Sequence, residues 1–271
     1  MNWKRLLIGK WSWKRPFMSL GSIYILLGLF AVSCADRMIF LPPAPSYGEN
    51  LRGYTKIDSK ISGSIAAIHV KAKPGAPTII YSHGNAEDVG QNMDIVYALK
   101  NKGYGVIAYD YPGYGLSTGK PTQTSTQESI QATWDYAINS GIPASSIIIV
   151  GRSVGSGPSV WLASHTEPAG LILISPLKSA YCVAFGYPIF PGDRFPNYKR
   201  IPKIETPLLV IHSEQDEVIP FSHGKELFEV SPASNKYFVP IKKTGHNDMF
   251  YHAPDKIFDA IDTFIKQLPK P

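Results

Sequence analysis

Short, continuously apolar runs recur along the chain, and they alternate with stretches in which apolar residues return every three or four positions. The apolar runs cover residues 78–82, 106–109, 147–150, 171–174, 208–211 and 237–239. Such runs are typical of strands that helices cover on both faces of a parallel sheet. The periodic stretches between them predict amphipathic helices, for example at Val89, Met93, Val96 and Tyr97. The order of these segments predicts one doubly wound α/β domain.

Three more segments complete the predicted architecture: one before the alternating strands and helices, one after them, and one insertion between them. Residues 53–70 contain two segments of alternating apolar and polar positions, which predict an antiparallel pair of strands at one edge of the sheet. Residues 257–268 carry apolar side chains at helical spacing and predict a C-terminal helix. Residues 176–202 contain five prolines and several aromatic residues. We predict that this insertion after a strand forms a lid.

The N-terminal region combines an apolar segment with a basic flank. No charged residue occurs from Pro16 to Ala35, and the apolar part is long enough to cross a bilayer. Five basic residues and three tryptophans precede or border it, namely Lys4, Arg5, Lys10, Lys14, Arg15, Trp3, Trp11 and Trp13. Because positive flanks stay in the cytoplasm, we predict a single-pass membrane anchor with the catalytic domain on the extracytoplasmic side.

A cleaved lipoprotein signal is the alternative to an uncleaved anchor. Residues 30–34 (FAVSC) fit a lipoprotein cleavage box in which Cys34 would carry the lipid. The long basic flank favours the anchor, and so does Ala31, which is a weak substitute for the usual leucine. The predicted division of the chain is an anchor or signal region at 1–35, a Pro-rich tether at 36–52 and a catalytic domain at 53–271.

The net charge of +6 does not indicate a nucleic-acid partner, because most of it lies at the N-terminus. Five positive charges precede residue 36 with no acidic residue among them, which leaves +1 for the rest of the chain. A nearly neutral body has no electrostatic footprint for phosphate backbones. The two cysteines, Cys34 and Cys182, provide neither a disulfide framework nor a metal cluster. We therefore expect no nucleic acid and no metal among the partners.

A possible nucleophile follows the apolar run at 147–150. Residues 151–155 (GRSVG) fit the G-x-S-x-G pattern, which occurs by chance too often to identify a site alone. A predicted strand before it and a predicted helix after it are the context of a nucleophile elbow, in which the glycines permit a sharp turn. The N-terminus of that helix also stabilises negative charge at the same place. We predict that Ser153 is the nucleophile rather than a small residue between two elements.

A serine nucleophile needs a base and a carboxylate that orients the base. His246 lies in a polar, glycine-containing loop after the last predicted strand, and it comes third in the order serine, acid, histidine that this fold class uses. The acid should follow the strand at 208–211, where the chain offers Glu214, Asp216 and Glu217. Loop geometry favours Asp216. We predict the triad Ser153, Asp216 and His246.

Acyl transfer also needs N–H groups that bind the developing oxyanion. The N–H of Val154, directly after the nucleophile, is one candidate. The second should come from the loop at 81–88 (YSHGNAED), where we favour the N–H of Asn85, with Ala86 as the alternative. His83 in this loop is interpreted as a structural brace rather than as a base.

Five motifs together resemble those of the α/β-hydrolase-fold serine hydrolases. They are HGNAED at 83–88, YDYPGYG at 109–115, GRSVG at 151–155, DEVI at 216–219 and GHND at 245–248. Within this fold the chain is similar to the membrane-associated alpha/beta-hydrolase domain proteins. Pro158, FSHG at 221–224 and GHND point to the protein depalmitoylase subgroup and its fungal and bacterial relatives. The resemblance covers nearly everything from about residue 38 to the end.

This resemblance implies an α/β-hydrolase fold and a serine hydrolase that cleaves acyl esters or thioesters, long-chain palmitoyl thioesters among them. The reaction would pass through an acyl-enzyme on Ser153, without a metal or an organic cofactor, at a membrane lipid surface. One departure concerns localisation, because those depalmitoylases attach to membranes through an N-terminal cysteine cluster. This chain has an apolar span and one cysteine there. If that span is an anchor, the active site lies outside the cytoplasm, which argues against cytosolic acylated proteins as substrates.

Two other functions remain open. A serine aminopeptidase-like peptidase would use the same triad, and an acidic patch that reads the amino-terminus of a substrate would favour it. A non-catalytic binding protein with this fold is the other alternative, since a fold does not fix a function. The presence of Ser153, Asp216 and His246 argues against a purely binding role.

Overall fold

The computed structural model describes residues 13–269, which form an eight-stranded sheet with helices on both faces. The strands are β1 (Tyr54–Ser59), β2 (Gly63–Val70), β3 (Thr78–Ser82), β4 (Gly105–Tyr109), β5 (Ile147–Arg152), β6 (Gly170–Ile174), β7 (Leu208–Ser213) and β8 (Lys236–Ile241). The α-helices are α1 (Lys14–Ile39), α2 (Met93–Asn101), α3 (Gln123–Asn139), α4 (Ser156–Ala163), α5 (Ala180–Phe185), α6 (Asn197–Arg200), α7 (Phe221–Val230), α8 (Met249–His252) and α9 (Pro254–Gln267).

The sheet has the order β1-β2-β4-β3-β5-β6-β7-β8. Strands β1 and β2 pair antiparallel, and β2 also runs antiparallel to β4, whereas the pairs from β4 to β8 are parallel. In the middle of the sheet, Ile80 of β3 lies between Ile107 of β4 and Ile149 of β5. The predicted mostly parallel, doubly wound sheet with an antiparallel edge pair is confirmed.

The continuous apolar runs form strands because both of their faces are covered. Every residue of β3 to β7 is buried. Helices α3, α4 and α7 pack on one face, through residues such as Ile130, Val160 and Leu227. Helices α2 and α9 pack on the other face, through residues such as Val96 and Ile261. The carboxyl ends of the parallel strands meet at one edge, where the loops after β3, β5, β7 and β8 come together.

Helix α1 is mostly exposed, and its part from Pro16 to Ile39 is long and apolar enough to cross a membrane. It continues four residues beyond the predicted boundary at residue 35 and ends at Ile39. Most of the predicted basic flank lies outside the described residues, namely Trp3, Lys4, Arg5, Lys10 and Trp11.

The segment after α1, which the sequence predicts as a stiff Pro-rich tether, is bound to the body of the domain. The Phe40 ring is buried and makes edge contacts with the rings of Tyr114 and Phe195. Further along, Ser46 donates hydrogen bonds to Asp88 from both its N–H and its hydroxyl. Proline content indicates a stiff segment, but aromatic and polar side chains with buried partners fix this one against the domain.

Candidate active site

Ser153 lies on a sharp turn between β5 and α4. Its φ of +54° is in the left-handed region, which a non-glycine residue adopts only when the surroundings impose it. Glycine is required two residues before Ser153 and two residues after it. A Cβ on Gly151 would lie 2.6 Å from the Gly155 carbonyl oxygen, and one on Gly155 would lie 2.3 Å from the Ser82 carbonyl oxygen. The G-x-S-x-G pattern therefore folds as an elbow that holds the serine against the end of β3.

The three residues predicted as a triad form a hydrogen-bonded chain, with His246 between Ser153 and Asp216. His246 Nε2 is 2.9 Å from Ser153 Oγ, and His246 Nδ1 is 2.7 Å from Asp216 Oδ2. Ser153 and His246 are only 8% and 5% exposed. Of the other two candidate acids, Glu214 is exposed to solvent, and Glu217 accepts a hydrogen bond from the backbone N–H of His246 at 3.0 Å. Asp216 is the carboxylate that meets the imidazole ring.

The surroundings of Asp216 keep its carboxylate ionised. Burial acts to raise its pKa, but contacts with His212 and His246 and the backbone N–H of Ile219 outweigh burial and hold the pKa well below its usual range. His212 Nε2 lies 3.3 Å from Asp216 Oδ2 and 3.0 Å from the Ile219 carbonyl oxygen. A histidine at the end of a predicted strand is most often a structural residue, so the sequence alone did not single out His212 as a partner of Asp216. Its place at the end of β7, four residues before Asp216, is the signal that would have found it.

Both predicted oxyanion donors line the same cavity as Ser153. Val154 follows Ser153 in the first turn of the helical segment, where an N–H has no partner within the helix. Asn85 lies in the loop after β3. The alternative residue, Ala86, is exposed, has a φ of +56° and is not among the residues that line the cavity.

The buried ring of His83 fixes the same loop against Asp110, the residue after β4. It is fully buried, with Nδ1 2.7 Å from the Gly84 carbonyl oxygen and Nε2 3.2 Å from Asp110 Oδ1. Burial acts to lower its pKa, but the nearby Asp110 carboxylate outweighs burial and raises the pKa of the imidazole. The Tyr111 hydroxyl donates to the His83 carbonyl oxygen at 2.5 Å. These contacts agree with the interpretation of His83 as a structural residue.

A buried ion pair connects the elbow to the loop after β3 (residues 83–88), the predicted oxyanion loop. Arg152 Nη1 lies 2.7 Å and 2.8 Å from the two carboxylate oxygens of Glu87. The same carboxylate accepts the N–H of Gly84, and the Arg152 guanidinium lies 5.6 Å from the centre of the Phe250 ring. Arg152, the residue before Ser153, thus fixes the loop that carries Asn85.

An apolar cavity of about 360 Å³ extends from Ser153. Three elements supply its walls, namely α1, the insertion between β6 and α6, and the loop after Asp216. The lining residues away from the nucleophile are Ala31, Ala35, Met38, Ile39, Leu177, Ala180, Tyr181, Val183, Ala184, Phe185, Phe195, Val218 and Ile219. None of the described lining residues is charged, so the cavity suits a hydrocarbon chain better than a charged group.

The predicted lid packs against α1 along its length. The Tyr24 hydroxyl donates to the Ile189 carbonyl oxygen at 2.8 Å, and its ring lies 5.3 Å from that of Phe190. Nearer the active site, Arg194 Nε and Asp36 Oδ1 form an ion pair at 3.0 Å. Helix α1 and the insertion between β6 and α6 therefore form one wall of the cavity together.

No group of three His, Cys, Asp or Glu side chains within residues 13–269 is arranged to hold a metal ion. The arrangement that the described residues do make is a serine, a base and a carboxylate beside an apolar cavity.

Comparisons with known proteins point to one family. The chain is 35% identical over 258 residues to alpha/beta hydrolase domain-containing protein aho-3 of Caenorhabditis elegans, which covers 83% of this chain and 76% of that protein. It is 42% identical over 211 residues to human alpha/beta hydrolase domain-containing protein 17B, which covers 75% of this chain and 71% of that protein. A family profile described as "Serine aminopeptidase, S33" matches residues 73–181.

A solved structure supports the fold independently. The Pyrococcus furiosus esterase Pf2001 superimposes with a TM-score of 0.70 at 16% identity, over 84% of this chain and 97% of that one. At this identity the likeness concerns the fold, and with the strand order described above it confirms the predicted α/β-hydrolase fold.

Proposed function

Because the chain belongs to the alpha/beta hydrolase domain-containing protein 17 family, we propose that it is a serine hydrolase that cleaves acyl esters or thioesters through an acyl-enzyme on Ser153. The observation that carries this proposal is the hydrogen-bonded chain from Ser153 through His246 to Asp216. A serine hydroxyl becomes a strong nucleophile when a base that is itself oriented by a carboxylate accepts its proton.

In the proposed first step, Ser153 Oγ attacks the acyl carbonyl carbon while His246 Nε2 takes the hydroxyl proton. The carbonyl oxygen becomes an oxyanion that accepts hydrogen bonds from the N–H groups of Val154 and Asn85. Asp216 stabilises the imidazolium that forms. The tetrahedral intermediate then collapses, the bond to the leaving group breaks, and His246 returns the proton to the departing alcohol or thiol.

In the second step, water attacks the acyl group on Ser153. His246 takes one proton from the water and delivers it to Ser153 Oγ as the acyl bond breaks, so that a carboxylic acid leaves and the enzyme is restored. Neither step requires a cofactor. Asp216 supports both steps, because its low pKa keeps the negative charge that the imidazolium needs.

The apolar cavity supports an acyl chain as the group that is bound. It has the size of a small-molecule pocket, about 360 Å³, and its described walls are uncharged. An aminopeptidase would need a carboxylate to bind the substrate's amino-terminus, and none of the described lining residues supplies one. The peptidase alternative therefore rests on the name of the family profile alone.

We also propose that α1 is an uncleaved membrane anchor with the catalytic domain on the extracytoplasmic side. The length and composition of Pro16–Ile39 and the basic flank before it support this topology. The long basic flank, and Ala31 in place of the usual leucine of a cleavage box, favour an anchor that is retained over the lipoprotein alternative.

Labelling and hydrolysis test the catalytic part of the proposal. A fluorophosphonate probe should label the wild-type protein and not Ser153→Ala. A panel of p-nitrophenyl esters, acyl thioesters and aminopeptidase substrates should show turnover of the acyl substrates, which increases with acyl length. His246→Ala should lose on the order of 10⁴ or more in kcat, and Ser153→Ala should add little to that loss.

His252→Ala is the matched control, because this histidine is exposed. Normal turnover in His246→Ala, or equal probe labelling of Ser153→Ala, would refute the catalytic assignment. Cleavage of aminopeptidase substrates in preference to acyl substrates would select the peptidase alternative.

Fractionation and protease protection test the topology. The full-length protein should stay in the membrane fraction after carbonate washing, and protease added outside sealed spheroplasts should digest the hydrolase domain. Protection of that domain would reverse the topology and make cytosolic acylated proteins the leading substrates. A mature protein that begins at a lipid-modified Cys34 would select the lipoprotein alternative.

A further inference from the structure

The side chain of Asn85 makes three hydrogen bonds, all to residues outside its own loop. Nδ2 donates to the Ile39 carbonyl oxygen at 2.6 Å. Oδ1 accepts from the Tyr114 hydroxyl at 2.6 Å and from the Leu41 N–H at 3.1 Å. The Leu41 N–H also lies 2.8 Å from the Tyr114 oxygen, which closes a small network. The amide of Asn85 is therefore engaged with the end of α1 and with Tyr114.

The rest of the oxyanion loop is held by other contacts. At its start, the Gly84 N–H donates to the Glu87 carboxylate, which Arg152 also binds. At its end, the Asp88 carboxylate accepts the N–H of Gln91 at 3.1 Å. Between these points the backbone passes through the strained φ of Ala86. The Asn85 side chain supplies the hydrogen bonds that restrain this middle part.

We propose that residues 39–41, where α1 ends, hold the oxyanion loop in its working shape through the side chain of Asn85 and the hydroxyl of Tyr114. This inference rests on the proposed function and deepens it, because the backbone N–H of Asn85 is the proposed oxyanion donor. Asn85, through its side chain, and Tyr114 are positioning residues. The membrane anchor is thereby joined to the catalytic machinery by hydrogen bonds.

The physical reason is preorganisation. An oxyanion donor must lie about 2.7–3.1 Å from the position of the oxyanion, and it is effective because it is already in place when charge develops. A misplacement of about 1 Å costs on the order of a hundredfold in rate. A loop with a left-handed residue beside its donor needs an outside restraint to keep that position.

The network also accounts for asparagine at this position. Asn85 donates with one end of its amide and accepts with the other. An aspartate at position 85 could not donate to the Ile39 carbonyl oxygen and would place a charge beside it. Tyr114 is fully buried and packs against Phe40 and His83, so that replacement by phenylalanine removes the hydroxyl and keeps the ring contacts.

Variants of the full-length protein in detergent micelles test the network link by link. Asn85→Ala keeps the backbone N–H and removes the amide. Tyr114→Phe removes the hydroxyl. Leu41→Pro removes the N–H at position 41, and Leu41→Ala controls for the loss of its exposed side chain. Phe40 has a φ of −95° and a ψ of 124°, which is the conformation that a residue before proline prefers.

We expect Asn85→Ala to lower kcat for a short p-nitrophenyl ester on the order of tenfold to a hundredfold, with KM within about twofold. Tyr114→Phe should lower kcat by a smaller factor. Leu41→Pro should have a lower kcat than Leu41→Ala. Because all three act on one network, adding Tyr114→Phe to Asn85→Ala should cost less than the product of the single effects.

A boronic acid provides a readout that a purely structural role would not change. Its adduct with Ser153 is tetrahedral and carries an oxygen at the oxyanion position, so its affinity should fall in parallel with kcat in each variant. Binding of the product carboxylic acid should change little. If Asn85→Ala does not fold, Tyr114→Phe and the Leu41 pair decide the question.

The outcomes separate this inference from the proposed function. A wild-type protein that is neither labelled by fluorophosphonate nor active would refute the proposed function. The inference alone would be overturned if the wild type is labelled and active but the Asn85→Ala, Tyr114→Phe and Leu41→Pro variants keep its kcat and boronate affinity. A fall of kcat with unchanged boronate affinity would also overturn it.

Discussion

Replacing Glu87 by glutamine should show how strongly the nucleophile elbow and the oxyanion loop are held together. Glutamine has almost the same shape as glutamate and keeps an oxygen for the Gly84 N–H, but it removes the negative charge that Arg152 binds. The guanidinium would then remain in a site that is largely closed to water, without a counter-charge.

The structure gives the expected magnitude. Removal of one partner from a buried ion pair costs about 3–5 kcal/mol. The Arg152 and Glu87 side chains are 10% and 19% exposed, which favours the lower end, about 3 kcal/mol. For a protein of this size each kcal/mol lowers the melting temperature by about 2–4 °C, so Glu87→Gln should melt about 6–12 °C lower than wild type.

Thermal unfolding of the full-length protein in one detergent, followed by tryptophan fluorescence at a fixed scan rate, measures this shift. Arg152→Met should give a similar loss, and the double variant should lose at least about 1 kcal/mol less than the sum of the singles, because it leaves no unpaired charge. Lys102→Met is the control. Its partner Asp259 is 73% exposed, so the shift should stay within about 3 °C. Additive losses, or a Glu87→Gln shift no larger than that of the control, would refute the reasoning.

Three further predictions concern other parts of the molecule. Burial and the nearby Lys178 lower the pKa of His223 to about 4. Because the unfolded state binds this proton near pH 6.5, the free energy of unfolding should fall as the pH drops from about 6.5 to about 4. A flat dependence of stability on pH in the wild type would contradict this, and so would a dependence in His223→Gln that is as steep as in the wild type. Gly155→Ala should abolish activity and lower the melting temperature, since its Cβ would meet backbone oxygens, whereas Gly21→Ala, with open space around it, should not. Arg194→Ala should lower kcat/KM for long-chain esters about fivefold relative to short-chain esters, which is equivalent to about 1 kcal/mol for a partly exposed ion pair. Equal effects on long-chain and short-chain esters would count against a wall that α1 and the predicted lid share.

The central part of the fold was predictable because its signals are local. A strand buried on both faces needs an unbroken apolar run, as at residues 147–150, and a sharp turn after it needs small residues. The order of serine, acid and histidine then limits the candidates to a few loop residues. Asp216 could be preferred over Glu214 and Glu217 by loop geometry, although only the structure shows which carboxylate meets the imidazole ring.

The contacts of the N-terminal region were not predictable in the same way, because they join residues far apart in the sequence. Asp36 meets Arg194, and Asn85 meets the backbone of Ile39. Composition marks the region after α1 as rich in proline but contains no information about which surface it touches. The role of Tyr114 was hidden for the same reason, since a tyrosine in an aromatic-rich motif also fits simple core packing.

The direct connection between α1 and the catalytic domain, without a flexible linker between them, has a consequence for the choice of substrate. The helix runs without a break to Ile39, and the next residues are bonded to the domain. With α1 in a bilayer, as proposed, the domain cannot rotate relative to its anchor, and the nucleophile is held at a fixed depth relative to the lipid surface, beside the α1 residues that line its cavity. An acyl bond at that depth is within reach, and one held well above or below it is not. Selectivity among membrane-bound substrates would then come from the position of the bond rather than from the sequence around it, and an enzyme released from the membrane would lose that discrimination.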